Sequence, residues 1–317
     1  MLNKEIPHFV RNDSSGLMHT PAPVILRARS ARRISQQQTS TVIPFLDGQD
    51  TVFKRCKVKL EYAASTHKGN VRKRNEDSYY IPCDDGPQGL AIVADGMGGY
   101  NAGDVASALC VQVACNIFAA AAAQDPPATP EETVRWAFRE ANRAIQEYAA
   151  TNEFYQGMGT TMTLMARGGG AWLLGNVGDS RGYLVRDGAA RQVTRDHSLV
   201  QLMVDRGRMN AEEARSHPYR NVITRAVGSD SFADADVFTE EMRAGDVVVL
   251  CSDGLSNYLG EEDLLRALEE STLETACQRM VALALERGGS DNITVVLCRA
   301  GGRDLSGGSL AHAGGDV

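Results

Sequence analysis

The 317-residue sequence predicts an α+β sandwich of mostly antiparallel strands with helices in pairs. Three observations carry this. Short β-rich runs recur between turn signals, helical blocks come two at a time, and the turns between strands are too short for parallel crossovers. Apolar residues make up 43% of the chain, enough for a sizeable core.

In chain order, Val58 to Ala63 opens the body and Leu90 to Ala94 is a continuous apolar strand. Thr161 to Ala166 and Ala171 to Val177 read as neighbours joined across a Gly-Gly-Gly turn. Gly182 to Val185 and Arg191 to Thr194 flank Arg-Asp-Gly, a hairpin signal because Asp-Gly supplies the positive φ of tight turns. Val247 to Cys251 and Ile293 to Arg299 are further buried strands. Residues 102–123 are alanine-rich with apolar residues at helical spacing. A capping box opens the next helix, with Thr129 as cap, Pro130 in the first turn and Glu132 three residues on. Its stripe of Val134, Ala137, Phe138, Ala141, Ile145 and Tyr148 marks the buried face. Leu199 to Asp205, Ala211 to Ser216, Glu261 to Leu268 and Leu273 to Glu286 complete the helices.

Residues 1–58 hold nine Lys/Arg against four Asp/Glu, a balance of +5, so the rest of the chain carries −12 of the net −7. This segment shows no sustained period and reads as a disordered basic arm. A body over 59–300 follows, then a flexible glycine-rich tail over 301–317. The Val42–Leu46 patch has no assigned partner. Arg27, Arg29, Arg32 and Arg33 could recruit an acidic partner, and Ser30, Ser35 and Thr39 could take a modification; the plain alternative is a solvated spacer. No apolar run reaches the roughly 18 to 20 residues of a membrane span, and the N-terminus lacks a secretory-leader pattern. Seven cysteines, with no C-x-x-C pair, suit reduced thiols in a cytoplasm better than a disulfide framework or a zinc site.

Aspartates recur where strands end. Asp95 closes an apolar run in Asp-Gly-Met-Gly-Gly. Asp179 follows Ala171 to Val177, Asp253 follows Val247 to Cys251, and Asp291 precedes Ile293; Glu76 and Asp77 follow the first strand. Each taken singly is an ordinary turn. Gathered on one sheet edge, they would repel unless a cation sat among them, and oxygen-only donors favour hard ions such as Mg²⁺ or Mn²⁺. A glycine after Asp95 leaves its carbonyl free to turn toward such an ion. The acids span about 200 residues, unlike the compact loops that bind Ca²⁺.

Eight stretches in order resemble the metal-dependent serine/threonine phosphatase family (PPM, type 2C) in its bacterial form: VRKRNED, VADGMGG, GMGTTMT, GNVGDSRGYL, TRDHSLVQLMVDRG, NVITRAVG, LCSDGL and GGSDNITVV, over about residues 60–298. The resemblance implies a four-layer αββα sandwich. It implies a hydrolase of phosphoseryl and phosphothreonyl proteins, acting through a water or hydroxide that bridges two ions. By position, Asp95 would bridge two Mn²⁺ or Mg²⁺ ions, with the Gly96 carbonyl on one and Asp253 and Asp291 on the other. Asp179 would help hold a third, weaker ion. Glu76 and Asp77 would act through bound waters, and Arg72 would grip the phosphate. Residues from about Leu199 to Gly228 would form a flap beside the site. Arg181 and Arg74 compete with Arg72, Arg181 reading as a structural ion pair and Arg74 as exposed. Met97 follows the ligand glycine and Tyr100 stands where bacterial members commonly carry histidine, which leaves any general acid unassigned. The implied partners are phosphoproteins, including a serine/threonine kinase or its targets, for a cytoplasmic monomer without nucleic-acid or membrane function. The rival reading, a binding module that has lost catalysis, is disfavoured because the acids are all present.

Overall fold

A computed structural model describes residues 58–82, 87–98, 102–124, 128–230, 232 and 234–303. The basic arm, the Val42–Leu46 patch, Tyr100 and the tail beyond 303 lie outside the described residues.

Strands β1 (Val58–His67), β2 (Asp77–Tyr80) and β3 (Leu90–Met97) lead into helices α1 (Gly103–Ala122) and α2 (Pro130–Ala149). Then come β4 (Gly159–Thr160), β5 (Met162–Gly168), β6 (Ala171–Val177), β7 (Arg181–Arg186) and β8 (Ala189–Gln192). The flap helices α3 (Leu199–Asp205) and α4 (Ala211–Ser216) precede β9 (Asp236–Glu241) and β10 (Val247–Cys251). Helices α5 (Asp253–Ser256), α6 (Glu261–Ala267) and α7 (Leu273–Glu286) and strand β11 (Ile293–Arg303) close the order.

One sheet runs β1-β11-β10-β7-β8 and the other β2-β3-β5-β6-β9, with β4 hydrogen-bonded to β3; the strand pairs are antiparallel. Three buried clusters define the layers. Ile92, Leu164 and Met162 of the second sheet pack with Val134, Phe138 and Ile145 of α2. Val93, Met165 and Leu174 meet Val248, Leu250 and Val296 between the sheets. Val249, Val295 and Leu297 pack against Met280, Cys277 and Ala284 of α7. Helix, sheet, sheet, helix is the expected αββα order, and it follows from period two: β3, β5 and β10 are apolar on both faces because each sheet is covered twice.

The Thr129 box forms, Thr129 Oγ1 accepting from the Glu132 amide while the Glu132 carboxylate accepts from the Thr129 amide at 3.1 Å. The hairpin of β7 and β8 turns through Asp187 and Gly188 at φ 52° and 77°. Its second strand starts earlier than predicted, because Arg186 pairs Ala189 across a two-residue turn. β2, β9 and α5 were not anticipated: β2 is four residues, β9 is half exposed without clean alternation, and α5 is a single turn. Helix α1 does reach the length and apolar character of a membrane-crossing helix, contrary to the sequence expectation. Of that stretch 33% is buried, where Ala106, Cys110 and Val111 pack with α2 and β3.

Candidate active site

In antiparallel sheets the C-terminal ends of β3, β6 and β10 share an edge with the N-terminal ends of β2 and β11. Asp77 pairs with Asp95 in register, Cys251 with Val295, and Met162 with Val177. The strand-end acids therefore converge. Arg72, Glu76, Asp95, Gly96, Met97, Asp179, Asp253 and Asp291 line one cavity of about 240 Å³, with Asn221 and Ile223 of the flap segment on its rim.

Backbone packing sets each acid. Thr161 fixes Asp95 from the neighbouring strand: its Oγ1 accepts from the Asp95 amide at 3.0 Å and its amide donates to the Asp95 carbonyl at 2.9 Å. Gly96 is required by close approach, since a Cβ there would stand 2.0 Å from the Gly103 carbonyl oxygen and 2.6 Å from that of Glu76. Gly254 is a second such point, its Cβ position 1.9 Å from the Asn292 carbonyl oxygen. The sequence reading gave the glycine after Asp95 a role in freeing a carbonyl; the structure adds a packing reason, the crossing of β3 with the start of α1.

Asp77 does not line the cavity. It is buried behind it, where its Oδ2 accepts from Ser252 Oγ at 2.9 Å and Thr294 Oγ1 at 2.6 Å. The family resemblance implies a water-mediated role for it; its Oδ2 also ties β2 to Ser252 after β10 and to Thr294 of β11. Arg72 is half exposed and donates to Asp291 Oδ2 at 2.8 Å, so it stands at the mouth. Arg74 is exposed. Arg181 is an ion pair, but with Asp196 rather than Asp179, Nη2 to Oδ2 2.7 Å.

Two supports went unnoticed in the sequence. Asn292 accepts from the Glu76 amide at 2.8 Å and donates to the Lys68 and Arg74 carbonyls, binding the loop before β2 to the Asp291 turn. His197 grips the residue before Asp179: its amide donates to the Gly178 carbonyl at 2.8 Å and its Nδ1 accepts from the Gly178 amide at 3.2 Å. Its Nε2 meets Asp236 Oδ2 at 3.0 Å, and Arg225 donates to Asp236 Oδ1. Both sit among other polar residues, Arg195-Asp196-His197-Ser198 and Ser290-Asp291-Asn292, so no local signal set them apart.

The electrostatics are those of crowded acids. Burial, then the charges of Asp77, Asp253, Asp179 and Asp291, pushes the Asp95 carboxyl well above the usual range. Burial, then Asp253, raises Asp179, and burial with Asp291 raises Asp253. Burial against only two hydroxyl partners lifts Asp77 to about 7. Asp253 Oδ1 and Asp77 Oδ1 are buried with no hydrogen-bond partner. Such crowding is relieved by protonation or by a cation. Among the described residues no three acids already close around an ion. They face a shared cavity, with room for water to complete a coordination shell. The donor set is all oxygen, which fits a hard divalent cation.

A protein-family model described as Protein phosphatase 2C matches residues 66–287. The chain belongs to the protein phosphatase 2C family. The serine/threonine protein phosphatase PstP of Mycobacterium tuberculosis (strain H37Rv) is 41% identical over 77% of this chain, which spans 45% of that relative's length. The serine/threonine phosphatase stp of Listeria monocytogenes (serovar 1/2a) is 36% identical over 76% of this chain and 95% of its own. The crystal structure of M. tuberculosis PstP superposes with a TM-score of 0.70 at 39% identity, covering 77% of this chain and 100% of that one. A PstP catalytic domain in complex with two manganese ions gives 0.67 at 38% identity over 77% and 99%.

Proposed function

We propose that residues 59–300 form a divalent-metal-dependent phosphatase domain that hydrolyses phosphoseryl and phosphothreonyl groups on proteins. The observation that supports this most is the convergence of five carboxylates from five strand ends on one cavity, with one of their buried oxygens, Asp253 Oδ1, lacking a hydrogen-bond partner. Asp95, the Gly96 carbonyl, Asp253 and Asp291 would hold two Mn²⁺ or Mg²⁺ ions, and Asp179 a third, weaker one. Bound there, such ions supply positive charge against the phosphoryl oxygens and acidify water.

The chain's own residues do the rest. Arg72 stands at the mouth with forked donors suited to a phosphate, which would compete with Asp291 for the guanidinium. Asp77, Asn292 and Thr161 hold the acid-bearing turns in place. A cysteine nucleophile has no support among the described residues: burial pushes the thiols of Cys251, Cys277 and Cys298 up to about 12. The reading includes a cytoplasmic setting, a monomer and a serine/threonine kinase or its targets as substrates, with the arm over 1–58 and the tail over 301–317 outside the catalytic domain.

The test is hydrolysis of a phosphothreonine peptide with and without Mn²⁺, on the natural chain and on Asp253→Asn. Metal-dependent turnover that collapses in the variant supports the reading. Turnover that survives both EDTA and the substitution would remove the metal from it.

A further inference from the structure

A second cavity, of about 270 Å³, shares Asp179 and Asp253 with the first and opens between the flap and the turn after β10. Val200 and Val204 of α3 and Leu259 give it apolar walls. Its charges are uneven in their commitments. Arg181 and Asp196 neutralise each other at 2.7 Å. Asp179 and Asp253 face the catalytic cavity as well. What remains is Arg215, at the end of α4, and Arg220, in the loop beyond, against one exposed acid, Glu261. Neither Arg215 nor Arg220 makes a side-chain hydrogen bond or ion pair with a described residue. Most other described arginines hold an acid, as Arg135, Arg139, Arg143, Arg186 and Arg287 do; Arg74, Arg206 and Arg208 are also unpaired, but only Arg215 and Arg220 among the unpaired ones line this cavity.

The flap also carries exposed apolar surface. Of the five most exposed large hydrophobic residues in the described chain, three are Leu202, Tyr219 and Val222, all within the flap. None of the three lines the cavity, but Tyr219 adjoins Arg220 in the chain and the Val222 carbonyl accepts from the Leu199 amide at 2.8 Å. Exposed apolar side chains thus share the flap with the arginines, a combination that marks a surface meeting another polypeptide.

We propose that this second cavity receives the substrate segment flanking the phosphorylated residue, and that Arg215 and Arg220 select flanks bearing a negatively charged side chain, a carboxylate or a second phosphate. The proposal rests on the phosphatase reading above, because the shared wall of Asp179 and Asp253 is what sets the cavity next to the reacting phosphate. Arginine's planar fork suits either anion, and at these exposed positions the pairing acts on substrate capture and fades with salt.

The experiment uses the full chain with Mn²⁺ and four peptides with the same phosphothreonine, flanked by alanine, glutamate, phosphoserine or lysine. Each is assayed on the natural chain, on R215A/R220A and on R215E/R220E, with p-nitrophenyl phosphate as a substrate that has no flank. The natural chain is expected to favour the glutamate or phosphoserine peptide over the alanine peptide by roughly fivefold in kcat/KM at low salt, through KM. Comparing the two anionic peptides tells carboxylate from phosphate. R215A/R220A should erase the preference, R215E/R220E should turn it toward lysine, and p-nitrophenyl phosphate turnover should stay within twofold in both. Equal preferences in the natural chain and R215A/R220A would overturn the proposal. So would a natural preference for lysine, which would give the cavity to Glu261, or an equal loss on p-nitrophenyl phosphate, which would make the arginines part of the fold. A natural chain inert toward all five substrates would instead bring down the phosphatase reading beneath it.

Discussion

His197 offers a test that separates two kinds of support. Its ring has one job on each nitrogen: Nδ1 accepts from the Gly178 amide at 3.2 Å and Nε2 meets Asp236 at 3.0 Å. Asparagine places an acceptor near the position of Nδ1 and abandons Asp236. Glutamine reaches toward Asp236 and abandons Gly178. Gly178 is buried, so its amide left unmet costs about 1 to 3 kcal/mol, whereas Asp236 is 37% exposed, keeps Arg225, and its loss costs about 0.5 to 1 kcal/mol. On those magnitudes His197→Gln should lower the melting temperature by roughly 5 °C and His197→Asn by about 2 °C. Activity should split further, because Gly178 is joined to Asp179. A shift of about 1 Å in that carboxylate can cost up to roughly a hundredfold, so the glutamine variant should lose at least tenfold in kcat and the asparagine variant only a few-fold. The assay is p-nitrophenyl phosphate turnover across a Mn²⁺ titration, alongside thermal unfolding. Equal activity in the two variants, or full activity in the glutamine variant despite lost stability, would refute the link between the ring and Asp179.

Other outcomes follow from the same contacts. Asp246 is 1% exposed and accepts from Arg186, Trp172 Nε1 and the Arg243 amide, so Asp246→Ala should cost about 3 kcal/mol by urea unfolding. Gly254→Ala drives a Cβ to 1.9 Å from the Asn292 carbonyl oxygen, and displacing the Asp253 turn should cut turnover about a hundredfold, measured with saturating Mn²⁺. Burial holds the His197 imidazole below its usual 6.5. The unfolded chain therefore binds the extra proton first, so this residue's share of stability is intact above pH 6.5 and declines as pH falls below it. Unfolding free energies at pH 7.5 and 5.5 should show a smaller drop in His197→Asn than in the natural chain.

Much of the fold was legible because both sheets are covered twice. Runs such as Leu90 to Ala94 and Val247 to Cys251 are apolar on every residue, and that signal survives without knowledge of partners. The capping box at Thr129 and the Asp187-Gly188 turn were equally local. β9 was not legible, since its residues alternate poorly and its strand state comes from pairing with β6. Nor was β2, whose four residues pair with β3. In the site, the acids announced themselves by position at strand ends, yet Asp77 could not be told from Glu76. Both follow the same loop, and only the hydroxyls of Ser252 and Thr294, 175 and 217 residues away, draw Asp77 behind the cavity while Glu76 lines it.

By itself, then, the sequence determined the α+β class, the Thr129 cap and the candidate acids, because each depends on residues within one or two turns of chain, while the αββα layer order rested on the family resemblance. The tertiary structure decided which acids share a cavity, that Arg181 pairs with Asp196 and not with its neighbour Asp179, that Gly96 must be glycine because α1 crosses it, and that His197 grips Gly178 from beside the flap. Those are contacts between segments brought together by sheet register. No local propensity encodes a register that antiparallel pairing fixes only once both sheets have formed.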